Sequence, residues 1–501
     1  MYPRASTNLK LRQTIDDIHS QYLNSTSTPL EITKQYLSRS KSIDKDINSV
    51  LRFVDDLAIT QANYCQSIID EIGIKEAIDK YPLFGIPYNL KDNVLVEGQI
   101  ATSASLIIKD FISPYSATIY KRLSEAGAIL ISQSNLDEWA VGSSTENSAY
   151  GASHNPFDLS RVPGGSSGGP AANVGSGQSV FSIGSDTGGS IRQPASFCDV
   201  VGIKPTYGTV PRYGIMPLAS SLDQAGPFTN NVQDNISVLK VLIGKDILDQ
   251  TTVESNRLES DLTNLGIHNR DDSSNKKFKI GIPTQYFVQG LEPQIRDAVW
   301  SNIKALELKG HTIIEIDLPL TKYGLAVYYT TMTVETASNL QRFDGIRYGS
   351  QIPASENFEQ YYTVRSDKFG NEPKRRIMLG TFASSSGYYD AYYNKAMMVK
   401  ELMTKDFNSV FESCDLILAP TTPEFPFKFN SKTTDIVKMY LSDILVYGAN
   451  LTKIPSINVP MGFFDFEDKQ LPAGIQIMGP EYSECSIYQL AFEIESQRIE
   501  S

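Results

Sequence analysis

Two glycine–serine clusters lie close together in this chain, PGGSSGGP at residues 163–170 and GSDTGGSIRQP at residues 184–194. Glycine costs backbone entropy on folding, so such clusters are kept in linkers or where a backbone must approach something closely. A linker has polar surroundings. Here VFSIG (180–184), a predicted strand, runs straight into the second cluster, and AANVG after Pro170 reads as a helix with proline in its first turn. Both clusters are therefore structured turns. A glycine-rich turn at a helix start exposes backbone N–H groups that hold an anion, including the oxyanion of acyl transfer. A phosphate-binding loop needs Gly-Lys-Ser/Thr after its glycines, whereas Pro170 follows Gly169 here with no lysine nearby.

Acyl transfer by a serine requires a base. The four histidines, His19, His154, His268 and His311, lie in no glycine- or serine-rich turn with an acid beside them in sequence. Triad partners meet only in the fold, so a histidine base stays open. A lysine whose pKa is lowered by burial serves equally well. Lys91, in NLKDN at the end of an apolar strand, is such a residue.

Residues 14–80 read as helices, FGIPYNLKDN (84–93) as a strand entering a polar turn, ATIYKRLSEAG (117–127) as a helix stopped by Gly127, and AILIS (128–132) as a buried strand. This alternation predicts an α/β core. The stretch 269–279 reads as a surface loop, KIGIP (279–283) as a strand, most of 290–415 as helix, and SINVP (456–460) and GIQIMG (474–479) as strands. The organisation expected is a tail over 1–13 and a single domain over 14–501 with a polar surface insertion near 246–278.

At 501 residues, 41% hydrophobic and 20% charged, the chain has ample material for a buried core. It shows no internal repeat and no apolar run near the roughly 20 residues of a membrane span. A net charge of −12 argues against a bare nucleic-acid binder, so contact with RNA is local or made through a partner. The four cysteines show neither metal-ligand spacing nor a disulfide framework, which implies a reducing compartment. Arg4, Lys10 and Arg12 precede the first acid, Asp16, as in the remnant of an organelle-targeting segment or in a frayed terminus.

GIPYNLKDN, PGGSSGGPAA and GSDTGGSIRQPASFCDVVGIKPTYG resemble the amidase signature family. Within it, DEWAVGSSTENSAYG, VPRYGIMPLASSLDQAGP, ETASNLQRFDGIRYG and KRRIMLGTFASSSGYYDAYYNKA resemble the A subunits of glutamyl-tRNA(Gln) amidotransferases, over nearly the whole chain. The resemblance implies the amidase signature fold, a central mixed β-sheet flanked by helices on both faces. It implies Ser190 as nucleophile, Ser166 as a bridging serine in a cis peptide, and Lys91 as general base. Ser167 is the rival to Ser166. The oxyanion hole would be the N–H groups of Thr187, Gly188, Gly189 and Ser190. Asp186 and Arg192 would pair and brace the turn. Arg376 would take the α-carboxylate of glutamine, with Arg375 as its rival, and Asp443 the α-ammonium. Tyr328 or Tyr329 would line the pocket.

The activity implied is that of a glutaminase supplying ammonia for conversion of Glu-tRNA(Gln) to Gln-tRNA(Gln). The complex would be a heterotrimer of this chain, a B subunit, and a small third subunit, with tRNA held mainly through the partner. No metal or cofactor is expected in this chain; ATP and Mg²⁺ would act at the partner. Three departures from the family pattern, Pro170, Asp199 after SFC, and YNLKDN, remove none of these groups. The alternatives are a stand-alone amidase for another small amide and a catalytically dead scaffold. The Asn-, Ile-, Ser- and Lys-rich loops point to a fungal mitochondrial member, the alternative being a bacterial-type cytoplasm.

Overall fold

The computed structural model describes residues 11–254, 256–267, 276–351, 356–432 and 436–498. Eleven strands form one sheet: β1 (Val50–Phe53), β2 (Pro87–Lys91), β3 (Ile129–Ser134), β4 (Phe181–Asp186), β5 (Val201–Lys204), β6 (Gln224–Thr229), β7 (Lys279–Pro283), β8 (Thr312–Ile316), β9 (Leu416–Pro420), β10 (Ser456–Phe466) and β11 (Lys469–Met478). Their order across the sheet is β1-β3-β2-β4-β6-β5-β10-β11-β9-β7-β8. The sheet is mixed. β2 lies parallel to both β3 and β4, and β7 parallel to β8 and β9, while the strands between run antiparallel. The α/β class read from the sequence and the mixed sheet implied by the family resemblance are the architecture found.

The α-helices are α1 (Ile15–Leu23), α2 (Pro29–Ile47), α3 (Asp55–Ile72), α4 (Ile74–Lys80), α5 (Thr118–Glu125), α6 (Gly168–Gly175), α7 (Arg192–Phe197), α8 (Val232–Leu242), α9 (Asn256–Ile267), α10 (Pro293–Leu308), α11 (Gly324–Leu340), α12 (Asn357–Lys368), α13 (Asn371–Ala383), α14 (Lys395–Phe411), α15 (Ile436–Leu441), α16 (Tyr447–Leu451) and α17 (Glu484–Glu495). Both faces of the sheet are covered. On β6, Phe228 packs with Ala171 and Ala172 of α6 and with Ile191 and Ala195. Ala225, three residues earlier and so on the opposite face, joins the main core with Ile236 of α8 and Ile487 of α17. The first helices begin where the sequence provides for it: Thr14 with Asp17 and Thr28 with Glu31 form reciprocal capping boxes on α1 and α2.

Four features differ from the sequence reading. β1 interrupts the stretch read as helices over 14–80, and β8 interrupts that over 290–415. Both lie at the outermost positions of the sheet. The segment read as a polar insertion contains α9, whose Leu258 and Leu262 are buried in the main core, and Phe278 beyond it is buried too. Residues 269–275 of the predicted loop lie outside the described residues. Arg12 does not belong to a loose tail. Its guanidinium donates to Gly175 O at 2.9 and 2.6 Å, to Asp199 O at 3.0 Å and to Asp199 Oδ2 at 2.9 Å. Residues 1–10 lie outside the described residues.

Asp199 has φ +55°, the left-handed region in which glycine is the ordinary choice and aspartate is tolerated. Its carboxylate is fully buried and pairs with Arg12 and with Arg498. The departure at this position thus ties the two ends of the described chain to the turn that follows α7.

Candidate active site

Parallel strands bring the two sequence clusters to one place. Lys91 ends β2, and Ser185 and Asp186 end the neighbouring parallel strand β4. The carboxyl ends of parallel strands are where α/β sheets hold ligands. The turn 163–167, leading into α6, folds over both. Gly165 there leaves no room for a side chain, since a Cβ would run into Asp137 Oδ2 and Ser144 N. Asp137, unremarked in the sequence, accepts N–H bonds from Ser144 at 3.2 Å, Thr145 at 2.8 Å and Asn147 at 3.2 Å, fixing the loop against which Gly165 packs. The Gly165–Ser166 peptide is cis.

Lys91 is fully buried, and its Nζ reaches three hydroxyls: Ser166 Oγ at 3.0 Å, Ser167 Oγ at 2.7 Å and Ser185 Oγ at 2.9 Å. Burial pulls its pKa down to about 7, against the opposing pull of Asp137, Asp186 and Asp223. A neutral amine is therefore accessible near physiological pH. Ser167 cannot pass a proton to it. Its O–H is committed to Ser185 O at 2.9 Å, and its oxygen accepts from Ser185 N and from Lys91. The Ser166 hydroxyl has no such bond to a carbonyl among the described residues; its partner is Lys91. Ser190 is the most exposed of the serines here, at 7%. Among the described residues no hydrogen bond joins its hydroxyl to that of Ser166.

The turn after β4 is held from inside. Asp186 Oδ1 accepts Gly189 N–H at 2.8 Å and Oδ2 accepts Ile191 N–H at 3.1 Å. Arg192 pairs with Asp186 at 3.1 Å and reaches Asn450 at 2.5 Å, and both charges are fully buried. The expected brace is present. Arg192 draws the Asp186 pKa down to about 2, against the desolvation that opposes it. Gly189 departs from its expected place in the oxyanion hole, because its N–H is spent on Asp186. The N–H groups of Thr187, Gly188 and Ser190 are given no acceptor by the described residues. Thr187 is fixed through its side chain, Oγ1 donating to Asp223 Oδ1 at 2.6 Å. Gly189 has φ +106°, and at Gly188 a Cβ would run into the ring of Tyr328.

Tyr328 thus closes on the turn after β4, while the Tyr329 ring faces a cation. The Arg376 guanidinium lies 4.4 Å from the Tyr329 ring centroid and 4.7 Å from that of Tyr440. Arg376, on α13, is buried and pairs with Glu372 one turn earlier at 2.6 Å, a partner the sequence did not suggest. Its Nη1 is buried without an acceptor. Arg375 is 38% exposed and pairs with the outer oxygen of Glu372. Asp443 is 4% exposed; its Oδ2 accepts from Ser143 and its Oδ1 is buried without a donor. Burial holds the Asp443 carboxyl well above the usual range. Asp443 joins the catalytic loops through Ser143, whose carbonyl accepts from Gln193, whose own carbonyl oxygen takes Gly165 N–H at 2.9 Å. Among the described residues, no group of three His, Cys, Asp or Glu is placed to hold a metal ion.

A low-pKa lysine among serine hydroxyls and a nearby turn of open N–H groups are the equipment that acyl transfer uses. The chain belongs to the amidase family, whose model, described as Amidase, matches residues 31–488. Within that family it is similar to the A subunit of glutamyl-tRNA(Gln) amidotransferase from Alkaliphilus metalliredigens, 43% identical over 97% of this chain and 96% of the relative. It is 45% identical to the A subunit from Thermoanaerobacter pseudethanolicus over 93% of this chain and 92% of that one. The crystal structure of the A subunit from Thermotoga maritima superposes with a TM-score of 0.76 at 33% identity, covering 96% of this chain and 94% of that chain. A 6-aminohexanoate cyclic dimer hydrolase shares the fold, with a TM-score of 0.80 at 22% identity over 97% of each chain.

Proposed function

We propose that this chain is the glutaminase subunit of a tRNA-dependent amidotransferase, a glutamine-hydrolysing enzyme that furnishes ammonia for converting Glu-tRNA(Gln) to Gln-tRNA(Gln). The observation that carries this reading is the pair of buried, unsatisfied atoms, Arg376 Nη1 and Asp443 Oδ1, set among the tyrosines that close on the oxyanion turn. A free donor on a cation and a free acceptor on an acid match the α-carboxylate and α-ammonium of an amino acid. The near full-length similarity to A subunits supports the same reading.

The mechanism uses the residues as placed. Neutral Lys91 takes the Ser166 proton while Ser166 takes that of Ser190. The Ser190 oxygen attacks the side-chain amide carbon of glutamine, and the N–H groups of Thr187, Gly188 and Ser190 receive the charge that develops on oxygen. Ammonia leaves with the returned proton, and water then cleaves the glutamyl ester.

Partner subunits belong to this reading. The face formed by α13, the turn after it and α14 exposes Met378, Phe382, Tyr388, Tyr392 and Met398 at 44–73%. Phe382, Tyr388 and Tyr392 touch one another, with ring centroids 4.3–6.1 Å apart. A contiguous aromatic patch of this kind suits one component of a complex better than a lone amidase. We place tRNA, ATP and Mg²⁺ on the B subunit, with a small third subunit bridging. For compartment, loop composition supports a mitochondrial setting, and the bacterial relatives support the alternative of a bacterial-type cytoplasm. No helix among the described residues is long and apolar enough to cross a membrane.

The test is ammonia release from glutamine by the chain co-purified with its partners, with and without glutamyl-tRNA(Gln), for wild type and Ser190→Ala. Release that rises with tRNA and vanishes in the variant is expected. Full activity in Ser190→Ala would overturn the mechanism. Cleavage of simple amides without glutaminase would overturn the amidotransferase role.

A further inference from the structure

A neutral amine has two N–H bonds and one lone pair, yet Lys91 Nζ faces three hydroxyls. One of the three must therefore donate to the nitrogen when Lys91 is neutral. Ser167 is excluded, since its proton is held by Ser185 O. Two candidates remain, Ser166 and Ser185. Only a lone pair aimed at Ser166 can draw the proton chain from Ser190; a lone pair aimed at Ser185 is unproductive. Something must keep the Ser185 proton away from Lys91.

We propose that Asn93 is a positioning residue that holds the Ser185 proton and so leaves the lone pair of Lys91 to Ser166. The inference rests on Lys91 being the base in the reading above. Asn93 is 2% exposed, two residues beyond Lys91, and its amide lies 3.2 Å from Ser185 Oγ. In the recorded orientation Nδ2 faces the hydroxyl, and Oδ1 is buried with no donor. That arrangement gives Ser185 two donors, Lys91 and Asn93, and leaves its own proton no acceptor but Lys91. Turning the amide end for end about χ2 exchanges two nearly isosteric groups and resolves the conflict. Oδ1 then accepts from Ser185, Ser185 accepts from Lys91, and Ser167 accepts from Lys91. The lone pair of Lys91 is left facing Ser166. Asn93 also lines a pocket that it shares with Ser185, Thr187, Arg212 and Asp223.

The experiment measures glutaminase kcat and KM of the assembled enzyme for Asn93→Leu, Ser185→Ala, the double variant and Asn93→Asp, with melting curves as folding controls and Ser190→Ala as the reference for the mechanism. Asn93→Leu leaves the Ser185 proton free to compete, and kcat is expected to fall on the order of 10–100-fold with KM unchanged. Ser185→Ala removes the competitor, so the double variant should regain most of that loss instead of adding to it. Asn93→Asp keeps an acceptor and should retain kcat, while its charge, added to those of Asp137, Asp186 and Asp223, moves the acidic limb of the pH profile upward. Additive losses in the double variant, or an Asn93→Leu enzyme with wild-type kcat, would overturn the proposal. Activity that survives Ser190→Ala would instead overturn the reading on which it rests.

Discussion

At the scale of single residues, the site works by what burial withholds from each group. Lys91 has lost enough hydration for its pKa to sit at about 7. In the proposed mechanism the base is the neutral amine, so glutaminase activity should rise with pH through about 7 and fall away below it. A kcat profile flat from pH 6 to 8 would count against Lys91 as the base. Arg376 and Asp443 each keep one unsatisfied atom, which is costly unless a substrate satisfies it. Arg376→Lys should raise KM for glutamine by about 10–100-fold, the loss of one charged, forked hydrogen-bonding group. Arg375→Lys, at an exposed position, should leave KM within about twofold. Equal effects of the two changes would remove Arg376 from the substrate site. Lys91 and the glycine turns stand out in the sequence because glycine clusters are rare and lysine at an apolar strand end is conspicuous; Ser166 and Ser190 are singled out within those turns only by the resemblance to the amidase family. The sequence did not expose Ser185, Asn93, Asp137 or Glu372. Each is a single polar residue whose meaning comes from a partner supplied by another element or another turn. The demand on Gly189 is equally hidden in sequence, because only the fold shows Asp186 turning back to take its N–H.

At the scale of elements, α6 and α7 begin beside Ser167 and Ser190 and end near one arginine. Arg12 donates to Gly175 O, at the last residue of α6, and to Asp199, two residues beyond the end of α7. A cation at a helix C-terminus also suits the helix dipole. Arg12→Lys keeps the charge and loses the fork, so it should lower stability by about 1–3 kcal/mol, read as a lower urea midpoint with unchanged slope. An unchanged midpoint would mean that Arg498 alone satisfies Asp199. Element signals differ in how they appear in sequence. ATIYKRLSEAG and KIGIP carry a full helical or strand period, and the structure has α5 and β7 there. β1 is four residues long, too short for alternation to show, and β8 mixes exposed and half-buried positions as an outermost strand does. α9 is masked in sequence by its polar neighbours, although Leu258 and Leu262 recur at helical spacing and are buried.

At the scale of the whole molecule, the order of strands decides how the chain holds together. Strands β1 to β6, from residues 50 to 229, make one side of the sheet, and β7 to β9, from residues 279 to 420, make the other. The gap between them is closed only by β10 and β11, which come last in the chain and pair with β5 on one side and β9 on the other. Neither half completes its hydrogen-bond ladder without that hairpin, and the main core runs from Ile15 to Ile494 across both. The two tryptophans report on opposite sides of this closure. Trp139, in the loop after β3, is buried against Phe343, and Trp300 is half-exposed on α10 with its ring 5.2 Å from that of Phe287, which follows β7. If the hairpin makes one cooperative unit, Trp139→Phe and Trp300→Phe proteins, each with a single remaining tryptophan, should unfold in urea at the same midpoint once the cost of each substitution is measured by circular dichroism. Two separated transitions would show that the halves unfold independently and that β10 and β11 stay with only one of them. Ile457→Pro, in the middle of the β10 ladder with β5, sharpens the test: it should lower both tryptophan midpoints together, because the strand it damages belongs to both halves.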